Sequence, residues 1–432
     1  MSLRSNVVWT FGGTLVYSLA QWAMLASISK LGSPYMVGQF ALGLAVSAPI
    51  YMFTNMQLRT IQATDAKGIF SFPDYFGLRV LASATGFAAV LLFALLNSGS
   101  GRTQLVVLVI GAAKCFESLS DAVYGLCQKH ERMMFISISL CIKGIGSVAA
   151  LIIILRLTHS LFEATCAMAA CWLLLFLFVD LRWARRLVRF EPFQPNKWLP
   201  HFDRKTLIRL SLIAFPMGIQ TMLASLATNI PRYVIDHDLG TAMLGKFAAM
   251  AYFLVAGHTV IAAVGNSVQA PLSRCWHSSL PAFKKLLFKC AAFAFGVGMV
   301  GTLVAAVAGK RILTLCYSPE YATNRGVFVL LMFSAAFYYV GSILGGGIAI
   351  VRRFWTYTLL YSLVPLMALI VAWLLIPRMG LMGAAIATLA YCVANAAIPV
   401  AIIAFAQRAE TRLRAASSFS QESAGAAFSV TA

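Results

Sequence analysis

Charge is what this chain of 432 residues has least of. Only 11% of its residues are Asp, Glu, Lys or Arg, against about 25% in ordinary soluble domains. Acidic residues are scarcest, 14 against 34 basic ones. A water-soluble domain of this length cannot cover its surface with so few charges. That excludes the soluble, secreted disulfide-rich and disordered classes. Long polar stretches are missing as well. The widest interval between apolar runs is about 25 residues, too short for a folded catalytic module. The nine cysteines contain no CxxC pair and lie in or beside apolar runs, as small buried hydrophobes do. There is no GxSxG, HExxH, Walker or DFG sequence, and the six histidines have no partners at ligand spacing. No short apolar leader precedes a small-residue cleavage site, so the first apolar run reads as an uncleaved span.

Apolar residues are what remains, at 60% of the chain. A membrane helix needs about 20 of them, or roughly 35 residues with its connection, which predicts about twelve transmembrane helices. They are expected at 7–29, 36–58, 77–97, 105–126, 135–155, 161–181, 207–235, 243–270, 287–308, 327–350, 354–376 and 382–406. The runs are continuous rather than alternating, so they are helices and not barrel strands. With the N-terminus in the cytoplasm, lysine and arginine fall on the cytoplasmic side about three times as often as outside, as the positive-inside rule requires. Both termini are then cytoplasmic. The net charge of +20 does not point to nucleic acid. Its basic residues sit in short juxtamembrane loops, the densest being Arg182-Trp-Ala-Arg-Arg-Leu-Val-Arg189, where topology and anionic membrane lipids account for them.

Two segments echo each other. Leu31-Gly32 leads to Gly38-Gln-Phe40-Ala41, and Leu239-Gly240 leads to Gly245-Lys-Phe247-Ala248. Both lie at outer turns opening inward-running helices, six spans apart. An even offset makes the repeat parallel and divides the chain into two six-helix lobes. The expected domains are a lobe with linker over 1–195, a second lobe over 196–406, and a disordered cytoplasmic tail over 407–432. Two rotated bundles leave a cleft between them, where alternating-access transporters hold substrate.

The few ionisable residues at membrane depth are therefore the candidates for function. On the fourth span, Lys114, Glu117, Asp121, Tyr124 and Gln128 share one helical face. Two readings fit: a structural Lys114–Glu117 pair, or a stripe lining a hydrated cavity. Lys143 on the fifth span either faces that cavity or neutralises Glu117 or Asp121. Arg232 follows Pro231 near the outer end of the seventh span, where it either turns inward or snorkels to the headgroups. Tyr51, Asn55 and Arg59 run at spacing four toward the inner mouth. Three intramembrane cations against two clear acids favour an anionic substrate, with a phosphate held by charge-assisted pairing. Without a nucleotide site, energy must come from an ion gradient or from the substrate's own gradient.

Several segments carry a family likeness. They are the Leu31-Gly32 to Phe40 turn, Phe116-Glu117-Ser-Leu-Ser-Asp121-Ala-Val-Tyr124-Gly125, Asn229-Ile-Pro231-Arg232-Tyr233, Tyr317-Ser-Pro-Glu320-Tyr321-Ala322, and Ile376-Pro377 to Gly383-Ala-Ala-Ile386-Ala387. In this order the chain resembles the lipid-linked oligosaccharide flippases of bacterial polysaccharide synthesis, within the multidrug/oligosaccharidyl-lipid/polysaccharide exporter superfamily. The resemblance implies an all-α polytopic fold of two six-helix lobes in a V around a basic central cavity. It implies a non-enzymatic flippase that moves an undecaprenyl-diphosphate-linked oligosaccharide to the outer leaflet of the bacterial cytoplasmic membrane, for O-antigen, capsule or exopolysaccharide. It implies no cofactor beyond H+ or Na+ coupling. The partners it implies are the lipid-linked oligosaccharide, a polysaccharide polymerase and a chain-length regulator. Arg59, Lys114, Lys143 and Arg232 are then the expected substrate-binding cations, and Glu117 and Asp121 the expected ion-coupling acids. The rivals are a multidrug/cation antiporter of the same superfamily, which needs an acidic cavity, and a membrane-embedded polymerase, which needs large outer loops.

Overall fold

The computed structural model of the protein describes residues 3–65, 68–97, 100–190, 198–351 and 354–429. Those residues are almost entirely helical. In chain order the helices are α1 (Leu3–Leu31), α2 (Pro34–Asn55), α3 (Leu58–Thr64), α4 (Phe72–Leu96), α5 (Gly101–Lys129), α6 (Met133–Thr158), α7 (Leu161–Leu175) and α8 (Leu181–Leu187). Next come α9 (Arg204–Leu239), α10 (Thr241–Ser278), α11 (Leu280–Cys316), α12 (Pro319–Ala322), α13 (Arg325–Val351), α14 (Phe354–Tyr361), α15 (Leu363–Met379) and α16 (Leu381–Ser429). A π-helical turn, Phe176–Asp180, joins α7 to α8.

Local sequence sets the helix starts. Ser33 precedes Pro34, and its side chain accepts from the Met36 N–H. Ser71 and Asp74 form a capping box around Pro73, with the Ser71 N–H donating to Asp74 Oδ2 at 2.9 Å. Asp203 caps α9 by accepting from the Thr206 N–H at 2.9 Å. Helix α2 breaks where Met56 and Gln57 take positive φ values of 46° and 52°.

Ten of the expected spans fall mainly on single long helices, whereas 161–181 runs through α7, the π-helical turn and the start of α8, and 354–376 is divided between α14 and α15. Ten helices among the described residues are long and apolar enough to cross a membrane, which makes this a multi-pass membrane protein. α1 and α5 are as long, at 29 residues each, but are not among the ten. α1 is diluted by Thr10, Gly12, Gly13 and Gln21. α5 carries Lys114, Glu117 and Asp121 within its length. The turn between the expected spans 243–270 and 287–308 is shorter than expected, because α10 and α11 run on until only Ser279 separates them. α16 likewise continues through Ser429, where the sequence predicts a disordered tail from residue 407. That stretch is alanine-rich and free of proline, a composition that sustains helix.

The packing repeats across the two halves. α1 lies along α6 as α9 lies along α15; α4 packs on α5 as α11 packs on α13; α5 packs on α7 as α13 packs on α16. Between the halves, α2 crosses α9 and α1 crosses α10. The two echoing segments meet on this pseudo-axis. A Cβ on Gly38 would collide with the Thr241 carbonyl oxygen, and a Cβ on Gly245 with the Pro34 carbonyl oxygen. Glycine at these two positions lets the N-terminal turns of α2 and α10 touch backbone to backbone. At that end one apolar core runs through both lobes, from Ile28 and Phe40 to Phe247 and Leu331. At the opposite end each lobe has its own core, around Val123 and Leu126 in the first and Phe283 and Ile343 in the second. A small cluster of Leu58, Tyr75 and Leu78 with Leu207 and Leu210 still links α3 and α4 to α9 there.

Candidate functional site: a central cavity

A cavity of 490 Å³ lies between the lobes, within the size range of small-ligand sites. Every long element of the pseudo-axis contributes to it. Gln21 comes from α1, Leu44 and Met52 from α2, and Lys114 from α5. α9 adds Thr221, Ser225, Thr228 and Arg232, and α13 and α16 add Tyr338, Thr388 and Tyr391. Spacing explains the α9 set: residues 221, 225, 228 and 232 fall on one stripe of the helix. Among the described residues the lining contains Lys114 and Arg232 and no carboxylate.

The two cations are held differently. Arg232 donates from Nη1 to Asn229 Oδ1 at 2.9 Å. Among the described residues it makes no salt bridge with a carboxylate. Lys114 Nζ is 2.6 Å from Glu117 Oε2, and Glu117 Oε1 accepts from the Tyr17 hydroxyl of α1 at 2.5 Å. The pair read from the sequence forms, and of the proposed stripe only Lys114 lines this cavity; Glu117, Asp121, Tyr124 and Gln128 do not. Lys114 both faces the cavity and carries a counter-ion.

Lys143 stands apart from the cavity. It is 0% exposed, and its ammonium has no hydrogen-bond partner. Its surroundings are the faces of Tyr124 at 5.3 Å and Trp172 at 5.7 Å. Lys114 also lies 5.5 Å from the Trp172 ring, so this indole neighbours both ammonium groups. It is fixed by donating from Nε1 to Ser147 Oγ at 2.6 Å.

Asp121 and Arg59 belong to a second cluster, toward the ends of α2 and α5 away from the Gly38–Gly245 contact. Arg59 reaches Asp121 Oδ1 at 3.3 Å and Gln128 Oε1 at 3.1 Å. Arg79 Nη2 reaches Asp121 Oδ2 at 3.1 Å and donates from Nη1 to Asn55 Oδ1, which also accepts from Ser118. Arg79 is wholly buried. The expected span 77–97 puts Arg79 only two residues from its start, where a basic residue reads as a headgroup anchor. The signal that places it correctly is the Ser71–Asp74 capping box, which starts α4 early enough to carry Arg79 two turns into the helix. Asp180 also escapes sequence reading. It sits buried on the π-helical turn, and its Oδ1 accepts from Ser139, which is 2.7 Å from the Tyr124 hydroxyl. No sequence signal marks that turn.

Among the described residues no group of His, Cys, Asp or Glu could hold a metal ion. All nine cysteines are free. What the cavity offers is two cations, hydroxyls and aromatic faces in a low-dielectric setting, where an anion is attracted far more strongly than in water.

Comparison with known proteins agrees with this layout. A family model described as polysaccharide biosynthesis protein matches residues 3–274. The capsular polysaccharide biosynthesis protein CapF of Staphylococcus aureus is 26% identical over 383 residues, covering 88% of this chain and 94% of that protein. Among solved structures, a transporter of the superfamily from Pyrococcus furiosus, described by the reverse polarity of its binding pocket, aligns with a TM-score of 0.60 at 14% identity, over 94% of this chain and 95% of that one. The Vibrio cholerae MATE transporter VcmN aligns with a TM-score of 0.60 at 16% identity, over 95% and 96%. These two structures carry the fold: two helical lobes of the transporter type.

Proposed function

The chain belongs to the polysaccharide biosynthesis protein family, and from that premise we propose that this polysaccharide-related transporter is a flippase for an undecaprenyl-diphosphate-linked oligosaccharide in the bacterial cytoplasmic membrane, with both termini cytoplasmic. The observation that carries the reading is the lining of the central cavity: Lys114 and Arg232 without a carboxylate. A diphosphate is the part of such a substrate that needs cations, and hydroxyl and aromatic side chains suit the sugars. At 490 Å³ the cavity takes a headgroup, while the polyprenyl chain stays in lipid. Arg59, near the inner mouth, meets the diphosphate first. Lys114 holds it midway, with Lys143 adding positive potential from behind Trp172, and Arg232 receives it toward the outer end. Glu117 is the carboxylate placed to couple this to H+ or Na+, since it already pairs with a cavity cation. Asp121 is held by two arginines and couples through them. A cation antiporter is disfavoured by the same lining, which has no acid to hold a cationic drug.

Purified protein in proteoliposomes tests the reading. Labelled undecaprenyl-diphosphate oligosaccharide in one leaflet should become accessible in the other, and Lys114→Gln and Arg232→Gln should each slow the exchange at least tenfold. Wild-type rates in both variants would overturn it.

A further inference from the structure

We infer that Lys143 is a positioning residue that receives Glu117 when an anion in the cavity takes Lys114. This rests on the anionic-substrate reading above. A fully buried ammonium without a hydrogen-bond acceptor costs several kcal/mol unless something compensates it. The Tyr124 and Trp172 faces give part of that compensation. Lys143 also acts electrostatically on two carboxylates, Glu117 and Asp180, yet makes no hydrogen bond to either. Apart from the Arg59–Asp121–Arg79 cluster, these groups with Lys114 are two lysines and two acids, and the Lys143 ammonium alone among them has no hydrogen-bond partner. Glu117 is committed to Lys114 and to Tyr17.

Charge balance dictates the response to an entering phosphate. The phosphate competes with Glu117 for the single cavity ammonium of this lobe. An abandoned carboxylate at membrane depth is as costly as an unpaired cation. Lys143, next to the same Trp172 ring that Lys114 touches, is the cation available to take it. The exchange replaces the Lys114–Glu117 pair by phosphate–Lys114 and Glu117–Lys143, while Asp180 keeps the Ser139 hydroxyl as its donor. It also pulls on Tyr17, whose hydroxyl is bonded to Glu117. Because Tyr17 belongs to α1, occupancy of the cavity is transmitted to a helix that also crosses α10 of the other lobe.

Inorganic pyrophosphate binding to the purified full chain, followed calorimetrically, tests this as a double-mutant cycle. Glu117→Gln removes the competitor and should tighten binding about tenfold, equivalent to about 1.4 kcal/mol. Lys143→Met removes the receiver and should weaken binding about tenfold, while Lys143→Arg should keep wild-type affinity. In the Glu117→Gln background, Lys143→Met should have no effect, because no carboxylate needs rehousing. A merely structural Lys143 would weaken binding equally in both backgrounds, and that result overturns the exchange. Should Lys143→Met unfold, Lys143→Gln enters the same cycle. Trp172 gives a second readout: pyrophosphate should change the intrinsic fluorescence of the wild type, and Trp172→Phe should abolish most of that change. A wild type that binds no pyrophosphate overturns the anionic-substrate reading itself, and the exchange with it.

Discussion

Gly38 of α2 and Gly245 of α10 occupy equivalent positions in the two lobes, and each lies where a side chain would strike the other helix's first turn. The symmetry is of the isologous kind, with the same patch used from both sides. It closes the lobes at the end where their apolar cores merge. Any movement that separates the lobes at this end must break this backbone contact.

Gly38→Val and Gly245→Val should each destabilise the lobe junction by about 1–3 kcal/mol, as overpacking does. The expected signature is a lower unfolding temperature in detergent, together with readier labelling of a cysteine placed at Thr241 by a membrane-impermeant reagent. Valine at Gly345, whose Cβ would meet nothing within 4 Å, is the control and should leave both unchanged. Equal effects at all three positions would remove the special role of the Gly38–Gly245 contact.

The Arg59–Asp121–Arg79 cluster gives a sharper stability test. Asp121 is the carboxylate that Arg79 pairs with, and Arg79 is wholly buried. Asp121→Asn leaves that guanidinium without its counter-charge and should cost about 3 kcal/mol. Adding Arg79→Met should recover much of the loss, because an apolar side chain replaces an uncompensated ion. Thermal unfolding of the two variants decides it. If the double variant is less stable than Asp121→Asn alone, the cluster is worth more than charge compensation.

Much of this architecture is legible in the sequence, and the exceptions have physical causes. Long apolar runs and loop charge place the helices, because lipid demands both. The Leu-Gly to Gly-x-Phe-Ala echo locates the pseudo-axis, because only glycine permits that approach. Lys114 and Arg232 are legible as candidates from their depth, but the sequence leaves open whether either meets the cleft, and the cavity lining decides it. The depth of Lys143 within its lobe is not legible. Period and spacing place a residue on a face but do not say whether that face meets the cleft or a neighbouring helix, and α6 turns Lys143 toward Trp172 of α7. The depth of Arg79 is hidden because α4 starts at Phe72, five residues before the expected span. Asp180 is hidden by a π-helical turn, which shifts the side-chain register without altering composition.

Acid stability is set in part outside the membrane, at the start of α9. Asp203 accepts from the Thr206 hydroxyl at 2.6 Å and from its backbone N–H at 2.9 Å. These bonds, the hydroxyl's first, hold the Asp203 carboxyl below its ordinary value. A carboxylate whose folded pKa is depressed contributes stability above its unfolded value of about 3.9, and loses it as pH falls through the folded one. Asp203→Asn should therefore lower the unfolding temperature at neutral pH and flatten its acid dependence below about pH 4. Parallel acid limbs in wild type and variant would mean that the cap does not titrate with folding.

Arg232 separates charge from shape in the cavity. Its guanidinium faces the cleft without a carboxylate partner among the described residues and is oriented by Asn229. If its task is to supply positive charge, Arg232→Lys should keep most of the transport rate, whereas Arg232→Gln should lose at least tenfold. If it grips a diphosphate with two parallel N–H bonds, lysine cannot reproduce the fork. Arg232→Lys should then fall several-fold, and Asn229→Ala should fall with it because the fork loses its orienting acceptor. The hydrogen bond to Asn229 favours the second outcome: an arginine needed only as a point charge would not need an acceptor to aim it. Transport rates of the three variants in proteoliposomes read the difference directly, and a wild-type rate in Asn229→Ala alongside a slowed Arg232→Gln would assign Arg232 to charge alone.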